Sequence, residues 1–144
     1  MAEPASRFVH TINVTWGDCD PAKIVYTGRL PWMALDAINA WWEELLGGDG
    51  FFQMEIDRGY GTPFVNLAMD FRVPVTPRHP LRLHTRPVRL GDKSITFRVD
   101  GYQDGALCFE GRFTSVFIVA EKFTARSAPE EIRALVEPLL EADV

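Results

Sequence analysis

The sequence predicts an α+β domain, an antiparallel sheet of about five strands wrapped around one long central helix, with a second helix at the C-terminus. Three observations predict it. Residues 31–46 carry Leu35, Ile38, Trp42, Leu45 and Leu46 at three-to-four spacing, the stripe of a core-facing helix. Residues 64–120 alternate apolar and polar side chains in four runs broken by proline- or glycine-bearing turns, the period of half-buried strands. Residues 8–16 alternate in the same way ahead of the helix, and Ser127-Ala128-Pro129-Glu130 opens a second apolar-periodic stretch near the end.

The 144 residues are expected to form a single domain, 1–144, large enough to bury a core without metals or disulfides. A net charge of −5 argues against a nucleic-acid partner unless a local basic stripe opposes it. The arginines between Arg72 and Arg98 are a weak hint of a small-anion site, although arginines on exposed strand faces are the commoner meaning. Cys19 and Cys108 lie far apart and outside any Cys/His cluster, so no metal is expected. Residues 1–7 lack the apolar h-region expected of a signal peptide, and no run approaches the roughly 18 apolar residues needed to cross a bilayer. The expectation is therefore a cytoplasmic protein with no membrane partner and reduced thiols.

Taken in order, Ile12, Val14 and Trp16 place one apolar face on the strand at 8–16, with His10 near its start. Thr27-Gly28-Arg29-Leu30-Pro31 turns the chain into the long helix, with Pro31 in its first turn, and Gly47-Gly48-Asp49-Gly50 ends it. Trp32, Trp41 and Trp42 read as packing. Residues 51–60 read as a connection with one short helical turn. Gly61-Thr62-Pro63 opens the clearest strand, in which Val65, Leu67, Met69, Phe71 and Val73 share a face.

Pro74, Pro77 and Pro80 end that strand, and strands at 81–90, 93–103 and 106–120 follow as a meander. Asp104-Gly105 is a hairpin signal, and Pro87 calls for an edge strand or a bulge. The last run is long enough to bend. Ser127 to Glu130 reads as a capping box, and Pro138 kinks or frays the helix that follows. A sheet with only one face covered by a helix leaves edges and a face to manage, for which a second copy is the economical solution.

Between the first strand and the helix stands Trp16-Gly17-Asp18-Cys19-Asp20-Pro21-Ala22, followed by Lys23-Ile24-Val25-Tyr26. Two carboxylates ahead of a helix N-terminus, where N–H groups are unpaired and the dipole favours negative charge, suit catalysis. They also suit an Asx turn or cap, the commoner role of such residues.

Those residues, with the helix carrying Asp36-Ala37 and with Arg58-Gly59-Tyr60-Gly61-Thr62-Pro63, resemble the 4-hydroxybenzoyl-CoA thioesterase family of hot-dog-fold proteins. The resemblance covers nearly the whole chain, and its Gly-Asp-Cys-Asp-Pro-Ala run is the specific part. It implies an acyl-CoA thioesterase without cofactor, favouring an aryl-CoA such as 4-hydroxybenzoyl-CoA over short aliphatic acyl-CoA. Asp20 would be its nucleophile or general base, and Asp18 would hold the loop. The backbone N–H of Tyr26 or Thr27 would polarise the carbonyl, and Asp36 would receive the hydroxyl of the acyl group. Thr62 would line the acyl pocket with Tyr60, Gly61 and Phe64, and Arg89, Lys93 and Ser94 would meet the CoA phosphates. A homodimer or a dimer of dimers, a homotetramer, is implied, each site joining Asp20 of one chain to the Gly61-Thr62 region of the other.

Three departures from the family pattern stand out: Lys23 where relatives carry glycine, one extra residue between Val25 and Asp36, and Gly91-Asp92 in place of a basic pair. Two other readings stay open. One is a hot-dog protein that binds an acyl-CoA or aromatic ligand without turnover. The other is a thioesterase acting on acyl carrier protein.

Overall fold

The computed structural model describes residues 2–144. Its elements are β1 (Val9–Ile12), α1 (Arg29–Leu46), α2 (Phe51–Asp57), β2 (Tyr60–Gly61), β3 (Phe64–Phe71), β4 (Leu81–Leu90), β5 (Ser94–Gln103), β6 (Ala106–Val116), β7 (Ile118–Val119), β8 (Thr124–Ala125) and α3 (Glu130–Val136). The main sheet is antiparallel with five strands in the order β1-β4-β5-β6-β3, and β2, β7 and β8 form a small second sheet. The predicted α+β architecture is therefore the one observed, with one difference in strand order. β3 pairs with β6 at one edge and β1 with β4 at the other, so only β4, β5 and β6 form a meander. The proline-rich connection after β3 carries the chain from one edge toward the other.

One face of the sheet packs on α1. Phe97 opposes Phe113 across β5 and β6, and both are fully buried with Ile38 and Trp42 of the helix. Trp41 and Trp42 meet the Phe97 ring edge-on, with centroids 5.0 and 5.9 Å away. Burying side chains of this size contributes about 1.5–3 kcal/mol each. Gly111 lies beneath the Phe113 ring, where a Cβ would collide with it. α1 starts at Arg29, two residues before the expected 31, with Pro31 in its first turn, and ends at Gly47 in the left-handed conformation, φ 67°.

The other face carries ionic rows. Arg86, Arg98 and Arg112 lie side by side across three strands, and His84, Asp100, Glu110 and Asp70 form the next row. Arginine stands opposite arginine in the first row and carboxylate opposite carboxylate from Asp100 to Asp70 in the second, and the two rows pair diagonally. Arg86 and Arg98 reach Asp100 at 3.1 and 3.4 Å, and the C-terminal Asp143 sits on Arg98 and Arg112. Of the arginines that hinted at an anion site, Arg72, Arg82, Arg86 and Arg98 are thus occupied by the chain's own carboxylates.

Several expectations change for physical reasons. The first strand stops at Ile12, because Thr15 and Asp18 cap a 3₁₀ turn at Trp16–Asp18; Trp16 is 73% exposed instead of sharing a buried face. In β3 the predicted apolar face is only partly covered, since β3 is an edge strand and α1 packs mainly over β1, β4 and β5. Val65, Leu67, Phe71 and Val73 are exposed. Pro87 sits in a strand paired on both sides, and the ladder shifts register between Pro87 and Arg89, so it makes a bulge. α3 begins after Pro129 as N-cap, with no side-chain cap, so the capping box expected at Ser127 does not form. A 3₁₀ turn at Glu137–Leu139 follows α3 at Pro138. Asp104 and Gly105, both at positive φ, make the predicted hairpin.

Candidate active site

The Asp18–Asp20 stretch folds back on Ile24–Tyr26 as a narrow loop. The Asp20 N–H donates to Ile24 O at 3.0 Å, the Lys23 N–H to Asp20 O at 2.9 Å, and the Tyr26 N–H to Asp18 O at 3.0 Å. The Val25 N–H donates to Val75 O at 2.8 Å, which ties the loop to the connection after β3. Lys23 completes the turn at φ 67°, a left-handed conformation suited to glycine.

The two carboxylates of the loop have different surroundings. Asp18 Oδ2 accepts the Thr15 N–H at 2.9 Å and the Thr15 hydroxyl at 3.0 Å, and Oδ1 accepts Arg29 Nη2 at 2.9 Å. The Thr15 amide, aided by its hydroxyl and by Arg29, holds the Asp18 carboxyl below its ordinary range. Asp18 therefore joins the loop to the first residue of α1. Asp20 Oδ1 accepts the Ala22 N–H at 2.9 Å in an Asx turn. Its other oxygen has no partner among the described residues.

At the helix N-terminus the Arg29 and Leu30 amides return to Tyr26 O and Thr27 O at 2.8 and 3.1 Å. The Thr27 and Gly28 amides find no acceptor among the described residues, as the first turn of a helix requires. Of the two amides expected to polarise a carbonyl, Tyr26 is thus committed to Asp18 O, and Thr27 is the one left open. Thr27 lines a cleft of about 200 Å³ between Ile24, Val25 and Leu30 on one side and Phe71 to Val75 on the other.

A larger cavity, about 600 Å³, opens between α1, α2 and the start of β3. Asp36, Thr62 and Phe64 line it, so the fold brings together three of the residues expected to bind the acyl group. Tyr60 and Gly61 do not line it. The Tyr60 ring is buried, with Arg126 stacked 5.8 Å from its centre, and burial pushes its phenol above the ordinary range. Gly61 is a space-giving residue, because a Cβ there would collide with the Glu55 carboxylate on the cavity wall. Trp32 and Asp36 also border a cavity of about 290 Å³ that holds Asp18 and Arg29. Asp20 borders none of these three spaces.

Arg89, Lys93 and Ser94 lie at the β4–β5 turn, outside these cavities. Arg89 and Lys93 are exposed and make no ion pair among the described residues. The turn itself is pinned by Arg133, whose Nη2 donates to Gly91 O at 2.7 Å. Among the described residues, no group of three or more His, Cys, Asp or Glu is arranged to hold a metal ion, and no helix is long and apolar enough to cross a membrane.

Several lining residues escaped the sequence reading. Trp32, exposed on the helix surface, belongs to the cavity and not to the core. With Asp36 and Asn39 it forms a stripe at i, i+4 and i+7, a spacing that marks one helix face. Asn39 Oδ1 also accepts the Phe51 N–H at 2.8 Å, which fixes α2 against α1. Asp49, Phe52, Glu55 and Phe123 reach the cavity from three further segments, and no local pattern links them.

Residues 14–136 match the family profile described as the thioesterase-like superfamily. No protein with a curated description matches the chain. A crystal structure of a thioesterase superfamily protein from Jannaschia sp. CCS1 is 59% identical, covers 99% of each chain and superposes with a TM-score of 0.94. A 1,4-dihydroxy-2-naphthoyl-CoA thioesterase from Synechocystis is 16% identical, with 90% of this chain and 94% of that chain covered and a TM-score of 0.80. A gentisyl-coenzyme A thioesterase is 24% identical, with 90% and 98% covered and a TM-score of 0.75.

Proposed function

From the premise that the chain belongs to the thioesterase-like superfamily, we propose that it hydrolyses an acyl-CoA thioester to the free acid and CoA. The observation that carries the reading is the loop of Asp20, where a carboxylate oxygen unengaged among the described residues stands on a loop tied to the start of α1, ahead of which the Thr27 and Gly28 amides are open. A thioester carbonyl bound with its oxygen toward the Thr27 and Gly28 N–H groups is polarised where charge develops in the transition state. Asp20 then acts as general base or as nucleophile. As a base it takes a proton from a water whose oxygen attacks the carbonyl carbon, and collapse expels the CoA thiolate. As a nucleophile its oxygen attacks the carbonyl carbon and expels the CoA thiolate, leaving a mixed anhydride that water hydrolyses to the free acid and the regenerated Asp20 carboxylate. Asp18, fully engaged with Thr15 and Arg29, holds the loop in either route.

The reading also needs a second copy. Within one chain the Asp20 loop and the Thr27 cleft lie at the Phe71 end of β3, whereas the large cavity lies at its Phe64 end. β3 is a free sheet edge with exposed Leu67 and Phe71. Two β3 strands paired antiparallel about a twofold axis bring the Phe64 end of each chain to the Phe71 end of the other. Each site then joins the Asp20 and Thr27 of one protomer to the Asp36, Thr62 and Phe64 of its partner, in a homodimer or a dimer of dimers. The finer assignment is an aryl-CoA, such as 4-hydroxybenzoyl-CoA, over short aliphatic acyl-CoA. Rings of Trp32, Phe51 and Phe64 line the cavity, and the Asp36 carboxylate on its wall accepts a hydroxyl proton. Arg89 and Lys93, without an ion pair among the described residues, are left at the β4–β5 turn for CoA phosphates, with Ser94 beside them.

The test is hydrolysis of aryl and aliphatic acyl-CoA by the wild type and by Asp20→Asn, read as free thiol. Asparagine keeps the acceptor of the Ala22 N–H, so the loop survives while the charge is lost. A fall on the order of a hundredfold or more is expected. Binding of acyl-CoA without hydrolysis by either protein refutes the enzyme reading in favour of a binding module.

A further inference from the structure

The charge of the large cavity says more about the acyl group than its shape does. Asp36, Asp49 and Glu55 all line it, and among the described residues of one chain no lysine, arginine or histidine does. None of the three carboxylates is held in an ion pair among the described residues. They do not converge on one point as metal ligands would. Between them stand the rings of Trp32, Phe52 and Phe123, 68%, 66% and 71% exposed, whose faces attract a cation through the ring quadrupole.

A second, independent observation points to a ligand in the same place. Thr62 is nine-tenths buried on the cavity wall, and its hydroxyl has no partner among the described residues. Gly61 beside it leaves the room that the Glu55 carboxylate occupies. A neutral hydroxyl on the acyl group needs one acceptor, and Asp36 supplies it. Three carboxylates without an ion-pair partner among the described residues, around one aromatic-walled space, favour a positive ligand and disfavour an acyl group that ends in a carboxylate.

We infer that the acyl group received in this cavity bears an ammonium centre, held between aromatic faces and the Asp36, Asp49 and Glu55 carboxylates. The inference rests on the thioesterase reading and sets the charge of the substrate, whether its skeleton is aryl or aliphatic. The discrimination resides in Asp49 and Glu55.

The experiment compares acyl-CoA pairs of equal shape, ending in trimethylammonio or in tert-butyl on chains of two to four carbons. A primary-ammonium member (4-aminomethylbenzoyl-CoA) and a carboxylate-ended member (succinyl-CoA) complete the panel. The expected kcat/KM ratio of trimethylammonio to tert-butyl is about tenfold or more. The carboxylate-ended thioester should come last, and the double variant Asp49→Asn, Glu55→Gln should bring the ratio toward one. Turnover of the neutral thioesters without a preference for charge overturns the inference and leaves the thioesterase reading standing. If no thioester is hydrolysed, the thioesterase reading falls, and binding of choline against its neutral isostere 3,3-dimethylbutan-1-ol, followed by tryptophan fluorescence, decides the inference by itself. Equal binding of the two alcohols overturns it.

Discussion

Replacing Asp18 with alanine removes the side chain that joins the loop to the long helix, and the structure sets the size of the effect. Three contacts are lost: the Thr15 N–H at 2.9 Å, the Thr15 hydroxyl at 3.0 Å and Arg29 at 2.9 Å. The Thr15 pair is a capping box worth about 1 kcal/mol. The Arg29 side chain is 45% exposed, so its ion pair adds at most about 1 kcal/mol after solvent screening. Together the loss is about 1–2 kcal/mol, a fall in Tm of roughly 2–8 °C for a domain of this size.

The effect depends on pH with a definite sign. The Thr15 amide and Arg29 hold the Asp18 carboxyl below its unfolded value, so its contribution is complete above about pH 4. It is lost as pH falls through the folded pKa. Thermal melts of wild type and Asp18→Ala should therefore differ at pH 7 and converge as the pH is lowered through 4 toward 3. Asp18→Asn keeps acceptors for Thr15 and should lie between the two. An equal gap at pH 7 and pH 3, or none at pH 7, refutes the assignment of the loop's stability to this carboxylate.

Further outcomes follow from the same geometry. Lys23→Gly should raise stability by about 1 kcal/mol in denaturant titrations, because φ 67° strains a side-chain-bearing residue, and Lys23→Ala should not. Gly111→Ala places a methyl group into the Phe113 ring and should lower stability by about 1–3 kcal/mol, read in the same titrations. Leu67→Glu on the open edge of β3 should shift a micromolar sample from dimer to monomer in sedimentation and abolish thioester hydrolysis, with the far-ultraviolet spectrum unchanged. A monomeric wild type in that measurement contradicts the shared site.

Different parts of the molecule were legible in the sequence to different degrees. The long helix was readable because its period of 3.6 is written in Ile38, Trp42 and their neighbours, and the hairpin at Asp104-Gly105 because both residues tolerate positive φ. β3 was readable as a strand but not as an edge. Alternation reports which side chains share a face, while coverage of that face depends on where α1 ends up. Trp32 shows the same limit from the helix side. It lies next to core residues in sequence and belongs to the cavity, because α1 presents it toward α2 and the β2–β3 connection and away from the sheet.

The loop motif placed two carboxylates before a helix, and the structure separates their surroundings. Asp18 meets Thr15 and Arg29, three and eleven residues away, whereas Asp20 retains an open oxygen. The spacing of the motif carries no record of that difference, since the Arg29 contact exists only after the loop folds back onto the start of α1. The Tyr26 amide illustrates the point: sequence position offered it to a substrate, and the fold gives it to Asp18 O.

By itself the sequence determined the class of fold, the positions of its long helix and strands, and the loop that carries Asp18 and Asp20. These are local properties, since periodicity, turn chemistry and capping act over a few residues. Only the tertiary structure decided the strand order, the open edge at β3 and the cavity that joins Asp36 and Thr62 to Asp49, Glu55 and Phe123. Those features depend on segments far apart in the chain packing against one another. Burial, charge balance and unpaired hydroxyls come into being only when such segments meet.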